Sequence, residues 1–328
     1  MRNLNPGSDT MEYIYLFIMF LMAFLVTLIY TPKFMKKAVE KGLVVRDRYK
    51  KDTIVPTLGG LTILAGILCS LILAQLLLEM EMREKLLMFY FIVFVFAMFG
   101  LADDLLDVGR KSKIFIPFFL ALPIVALNPE TPINLFFFVI DLKAFYTLII
   151  APTYIMVTAN LVNMHSGYNG LSCGLSYILV SFLIIRVFLE SGLDNLFYIL
   201  PMFGAMLAFL YFNTYPAKIF WGNTGSLMTG AAIGAFIIVN KIEIFGIVIL
   251  IPHIVNFLMY VVWRIKKLGD VKFGRLRKDG TLEVPNPWTL KWTFPYYFRL
   301  TEHQAMWIMY SLTTLFGILG LIVVPYSI

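Results

Sequence analysis

Three carboxylates, Asp103, Asp104 and Asp107, stand together at the end of a long apolar run, and the cations Arg110, Lys111 and Lys113 follow at once. Like charges packed this closely repel. Beside a membrane they are tolerated only where water, a cation or neighbouring Lys and Arg neutralise them. Hard oxygen donors of this kind suit Mg²⁺ bound together with phosphates. On a continuing helix Asp103 and Asp107 share a face, and Asp104 points roughly a third of a turn away. Taken alone, the cluster fits a solvated helix end, its acids paired with those cations, equally well.

Three more stretches carry polar residues of useful types. In NLVNMHSGYNGL, Asn160 and Asn163 are three apart and can offer amide oxygens to one side. Gly167 and Gly170 let backbone approach a ligand, and Asn169 can read a heterocycle through paired donor and acceptor. An ordinary tight turn is the plainer reading, and His165 reads as a turn residue rather than a base. In FWGNTGS, Gly222 to Ser226 would present amides and hydroxyls at a helix N-terminus, which favours phosphate. There Phe220 and Trp221 could stack on a base, although a capped helix start with interfacial aromatics is the usual meaning. The fourth stretch pairs the run Arg46-Asp47-Arg48-Tyr49-Lys50-Lys51 with Pro56 and Gly59-Gly60, which suggest a specific backbone shape. Together the four describe a membrane-edge site: acids and amides for a divalent cation, cations for phosphate, an aromatic for a base. Phosphoryl transfer between a nucleotide and a lipid needs such a set.

The elements that must bring these stretches together are membrane helices. Of the 328 residues, 60% are hydrophobic and 14% charged, a balance that excludes a soluble domain. Apolar runs long enough for a hydrocarbon core of ~30 Å fall near 12–31, 57–78, 86–102, 114–128, 144–163, 173–191, 195–214, 225–240, 243–263 and 304–325. The sequence therefore predicts an all-α polytopic membrane protein of about ten spans, with cytoplasmic active-site loops. It reads as a single domain over 1–328 with a loop insertion at about 264–303, where Lys278-Asp279-Gly280 suggests a hairpin. The segment at 132–140 is apolar but too short to cross. With both termini on one side, the opposite loops hold 21 of the 27 Lys and Arg, while the 20 acids divide evenly. By the Lys/Arg rule that side is cytoplasmic, and the expected location is the plasma membrane. The net charge of +7 then faces anionic lipid and phosphorylated substrates, not nucleic acid. Cys69 and Cys173 fall inside helices and suggest neither disulfide nor metal cluster.

On these residues the sequence resembles the polyprenyl-phosphate N-acetylhexosamine-1-phosphate transferases, above all the archaeal and eukaryotic dolichyl-phosphate GlcNAc-1-phosphotransferases. The resemblance runs from about residue 42 to the end of the ninth span, with weaker support in the last loop. The family's acidic motif matches Ala102-Asp103-Asp104, Asp107 and Lys113; its N-x-x-N-x-x-x-G-x-N-G-L stretch matches Asn160, Asn163, Gly167, Asn169, Gly170 and Leu171. The resemblance implies that Asp103 and Asp104, with Asp107, serve nucleophile and metal, and that Lys113 contacts the pyrophosphate. It implies uridine contacts at Gly167, Asn169 and Phe220, with Asn160 nearby, and a metal site of Asp104, Asn163 and Asn223 for Mg²⁺ or Mn²⁺.

Two positions depart from the family. Asn223 stands where most members carry an Asp ligand, which removes one negative charge from the metal. The last loop lacks the His/Arg-rich sugar motif and the bacterial histidine cluster; Lys272, Arg275 and Arg277 stand there instead. The implied partners are a UDP-HexNAc, a polyprenyl or dolichyl phosphate, membrane lipids and a second copy of the chain. The implied reaction moves GlcNAc-1-phosphate, or a related HexNAc-1-phosphate, to the lipid with release of UMP, as the first membrane step of lipid-linked glycan synthesis for protein N-glycosylation. The competing readings are a secondary transporter of an anionic substrate, for which Arg186 is the one obvious mid-span charge, and a same-family transferase serving another cell-surface glycan.

Overall fold

The computed structural model describes residues 6–47, 53–109, 111–129, 131–135, 138–267 and 274–326. In chain order these form α1 (Pro6–Glu40), β1 (Val44–Asp47), β2 (Thr53–Pro56), α2 (Gly60–Leu77), α3 (Met80–Leu106) and α4 (Ser112–Ala121), which runs on as a 3₁₀ helix, Leu122–Leu127. Then come β3 (Pro132–Leu135), β4 (Phe138–Asp141), α5 (Lys143–Phe145), a π turn over Tyr146–Ile150, α6 (Ala151–Met164), α7 (Leu171–Ser191) and α8 (Leu200–Asn213). The chain closes with α9 (Gly222–Val239), α10 (Glu243–Ile265), β5 (Arg275–Leu276), β6 (Leu282–Glu283), α11 (Leu290–Tyr297) and α12 (Glu302–Val323). The six strands form three separate antiparallel hairpins, and the last of them encloses Lys278-Asp279-Gly280 as the sequence suggested.

Among the described residues eight helices are long and apolar enough to cross a membrane, with Lys143–Met164 counted as one. Two more apolar helices, Ser112–Leu127 and Leu200–Asn213, are shorter, so the ten expected spans divide into eight and two. Proline explains both short ones. Pro117 lies inside α4 and Pro123 opens the 3₁₀ segment that replaces its second half. The run at 195–214 begins as a 3₁₀ turn at Leu196–Tyr198, and α8 starts only at Leu200 with Pro201 in its first turn.

The centre of the bundle is α9, of which 83% is buried, against 28% for the spans of α1 and α12. Its sequence, GNTGSLMTGAAIGAFIIV, has no charge and small residues on every side. Such residues let backbones meet, which is how helices pack where lipid supplies no hydrophobic drive between them. A Cβ on Gly230 would lie 2.6 Å from Ala159 Cα, and one on Gly234 would lie 2.8 Å from Ile155 Cα, so α6 touches α9 backbone to backbone. On the other flank, a Cβ on Gly100 of α3 would meet the Asn223 carbonyl at 2.5 Å. These two close approaches bring the polar ends of α3, α6 and α9 together.

Candidate active site

Where α3 ends, its acids separate. The helix stops at Leu106, and Asp107 takes a left-handed conformation with φ 49°. Asp103 and Asp107 therefore do not share a face as a continuing helix would require. Asp103 is buried: Oδ1 lies 2.8 Å from Lys113 Nζ and accepts the Val108 amide at 3.0 Å, while Oδ2 accepts Asn223 Nδ2 at 2.8 Å. Asp104 takes the N-terminus of α9. Its carboxylate accepts the amides of Asn223 (2.8 Å) and Thr224 (2.9 Å) and the Thr224 hydroxyl (2.9 Å). That N-terminus was expected to hold phosphate; a carboxylate of the chain itself meets its unpaired amides and positive dipole end instead. Gly222 makes room for it. A Cβ there would come within 2.5 Å of Asp104 Oδ2, and the residue has φ +70°.

Asp104, Asn163, Gly167, Asn169, Phe220 and Asn223 line one cavity of about 680 Å³. Asn163, near the end of α6, accepts the Ser226 hydroxyl at 2.7 Å. Phe220 is placed by backbone pairing: its amide donates to Pro56 O (2.9 Å), and the Gly59 and Gly60 amides donate to the carbonyls of Phe220 (2.8 Å) and Trp221 (2.9 Å). A Cβ on Gly60 would stand 2.3 Å from the Gly225 nitrogen, so this glycine is required by close approach.

Asn169 is buried and its carboxamide is engaged within the protein. Nδ2 donates to Glu302 Oε1 (2.7 Å) and Asp47 Oδ2 (3.1 Å), its backbone amide donates to Glu302 Oε1 (2.6 Å), and Oδ1 accepts the Ala217 amide at 2.8 Å. Two buried acids need donors, and Asn169 supplies them. Glu302 is itself set by the capping box of Thr301 and Gln304 that opens α12. His165 is buried edge-on against His253, with ring centroids 4.6 Å apart. Burial holds its imidazole well below the usual range, so it is neutral.

A second cavity, of about 530 Å³, is lined by Asp107, Lys113, Arg264 and Lys291 with the aromatic rings of Tyr260, Trp263 and Trp292. Lys113 thus faces a different chamber from Asp104 and Asn163, but Asp103 joins the two: one oxygen holds Lys113 and the other holds Asn223. Asn160 lines neither chamber. Its amide donates to the carbonyls of Lys113 (3.2 Å) and Met156 (3.0 Å), so it steadies the chain at Lys113. Arg275 is exposed on the β5–β6 hairpin and lines neither chamber; Lys272 lies outside the described residues.

The sequence reading did not single out Lys291 and Arg264. Lys291 donates to the Ser166 carbonyl, and burial pulls its ammonium down to about 8. Nothing in the spacing marks these two cations among so many basic residues; only the fold brings them to a cavity wall.

Asp104, Asn163 and Asn223 put oxygen donors on the wall of one cavity. Asn223 uses its amide nitrogen on Asp103, and its carbonyl oxygen is the atom able to coordinate. Among the described residues no group of three His, Cys, Asp or Glu converges as a metal cage. An all-oxygen set with so few carboxylates fits a hard cation that takes its remaining ligands from phosphate and water, the habit of Mg²⁺.

A family model described as glycosyl transferase family 4 matches residues 86–241. A protein of Saccharolobus solfataricus is 30% identical over 92% of this chain and 94% of its own length, and carries the provisional name UDP-N-acetylglucosamine–dolichyl-phosphate N-acetylglucosaminephosphotransferase. A protein of Sulfolobus acidocaldarius with the same provisional name is 27% identical over 92% of this chain and 94% of its own length. The phospho-N-acetylmuramoyl-pentapeptide-transferase of Halalkalibacterium halodurans is 30% identical over 70% of this chain and 76% of its own length.

Proposed function

The chain belongs to the polyprenyl-phosphate N-acetylhexosamine-1-phosphate transferases of glycosyl transferase family 4, and we propose that it moves GlcNAc-1-phosphate from UDP-GlcNAc to a dolichyl-type polyprenyl phosphate. The observation that carries this reading is the joining of the two chambers. One has Phe220 for a base and oxygen donors for a cation; the other has cations for phosphate; and Asp103 ties them together.

In this reading the lipid phosphate needs little activation, since the second pKa of a phosphate monoester is ~6. Its oxygen bonds to the β-phosphorus of the nucleotide sugar, the bond from that phosphorus to the bridging oxygen breaks, and UMP leaves with the electron pair. Lys113, aimed by Asp103, meets charge on the phosphates, and Phe220 faces the uracil. When bound by Asp104, Asn163 and Asn223, Mg²⁺ supplies further positive charge against the phosphates. A covalent route through Asp103 or Asp104 is disfavoured. Each carboxylate already accepts three hydrogen bonds or ion contacts within the protein, which leaves a poor nucleophile. The Lys/Arg excess supports both chambers opening to the cytoplasm, and the membrane in this reading is the plasma membrane.

The test incubates purified protein with radiolabelled UDP-GlcNAc, Mg²⁺ and polyprenyl phosphate. Label in the organic phase is expected. Uptake of label into sealed vesicles with no lipid labelling would replace the enzyme by a transporter, and a panel of UDP-sugars assigns the HexNAc.

A further inference from the structure

We propose that Lys291 binds the diphosphate of the nucleotide sugar, standing at the seam between the two chambers. The inference rests on the donor assignment above.

Lys291 is the second residue of α11, which follows the last hairpin, and lines the chamber that Lys113 also lines. Its ammonium reaches out of that chamber to the loop lining the first one. It donates to the carbonyl of Ser166, and a Cβ built on Gly167 would fall 2.3 Å from Nζ. Gly167 adopts φ +121°, which favours glycine, and the lysine's end lies directly over it. The stem is held at both ends. The backbone carbonyl of Lys291 accepts the Tyr168 hydroxyl at 2.9 Å, and the neighbouring Leu290 amide donates to Asn256 Oδ1 at 3.0 Å.

A loop clasp alone does not explain a lysine here. A neutral amide could donate to Ser166 O as well, without the cost of removing a full charge from water. Among the described residues no carboxylate pairs with Lys291. The ring of Trp292 lies 5.7 Å from Nζ, and burial lowers the pKa of the ammonium. An ammonium has three donors, and Ser166 takes one. Two donors on a cation with no carboxylate partner among the described residues, set between a chamber for the base and a chamber for the second phosphate, match a diphosphate. Lys113 does not fill the role alone, because Asp103 already neutralises it.

The test measures binding of UDP-GlcNAc, UMP and uridine to the full-length protein in detergent with Mg²⁺, for wild type and for Lys291→Gln, Lys291→Met and Lys291→Arg. Charge-assisted contacts set the expected scale, so Lys291→Gln and Lys291→Met should weaken UDP-GlcNAc by about ten-fold or more. Uridine should stay within about two-fold, and Lys291→Arg should recover most of the loss. Equal weakening of uridine and UDP-GlcNAc would make Lys291 a loop clasp and overturn the proposal, as would unchanged binding in both neutral variants. If one neutral variant does not fold, the other and the arginine variant decide by the same ratio. Failure of wild type to bind UDP-GlcNAc at all would instead remove the donor assignment.

Discussion

Among the described residues, two ion pairs with a buried acid differ in what surrounds them. Near the end of α7, Arg186 lies 2.6 Å from Glu190, with side chains 2% and 8% exposed. It also donates to the carbonyls of Val324 and Pro325 and stacks on the ring of Tyr326 at 4.1 Å. Near the end of α3, Lys113 lies 2.8 Å from Asp103; the acid is 0% exposed, but the lysine is 30% exposed and lines a cavity. The first pair is sealed, and it ties α7 to the residues after α12. The second has one face open to a ligand. A charge within membrane helices is thus a functional sign only where a partner reaches a chamber, and Arg186, the charge on which the transporter reading rests, lies near a helix end and is a fastener.

Substitutions can break or sharpen this contrast. Asp104→Asn is expected to have the largest effect, a loss of lipid labelling by about a thousand-fold, the order seen when a preorganised electrostatic group is removed. Turnover near wild type in the folded variant would take Asp104 out of the site. Gly222→Ala should lower turnover by roughly ten-fold: a left-handed alanine costs ~1–2 kcal/mol, and its methyl displaces the Asp104 carboxylate. Normal kinetics would show that this carboxylate tolerates displacement.

A pH profile reads the open side. The ammonium of Lys291 titrates at about 8, below the ordinary lysine range, so its charge is present at pH 7 and is lost as pH rises through that value. The specificity constant for UDP-GlcNAc should fall several-fold between about pH 7 and 9 in wild type and stay flatter in Lys291→Arg. A parallel fall in both would assign the titration elsewhere. Asn223→Asp restores a negative charge beside Asp104 and should reduce, by a few-fold, the Mg²⁺ needed for half-maximal rate; an equal or higher requirement would separate residue 223 from the metal. The smallest effect on turnover is expected for Arg186→Leu, within about two-fold at low temperature. Removing the guanidinium that Glu190 and the carbonyls of Val324 and Pro325 share should nevertheless cost ~3–5 kcal/mol of stability, seen as a lower Tm. A collapse of turnover in a folded Arg186→Leu protein would erase the distinction between the pairs.

Local chemistry made part of the site readable. Asp104, Asn163 and Phe220 each stand in a short stretch whose composition is odd for a membrane protein, and all three meet in one cavity. The same local reasoning went astray where the chain's path changed. Asp107 was placed by helical spacing, but the helix ends before it. Asn169 has the groups to read a base, yet two acids from remote segments, Asp47 and Glu302, take its amide. Arg275 carries the right charge but is exposed and lines neither chamber, and Lys291 is one basic residue among many in the sequence.

Composition and the length of apolar runs determined by themselves that this is a helical membrane protein, because lipid leaves backbone groups no partner outside a helix. The residue types in four short stretches likewise pointed toward phosphate and a cation, beside a plainer local reading of each. Tertiary structure alone decided which of those residues share a chamber. Asp104 meets Thr224 across 120 positions, and Lys291 meets Ser166 across 125. Such meetings depend on how closely small residues let α6 and α9 approach and on where α3 stops, and no local pattern of charge or hydrophobicity encodes a distance between remote parts of a chain.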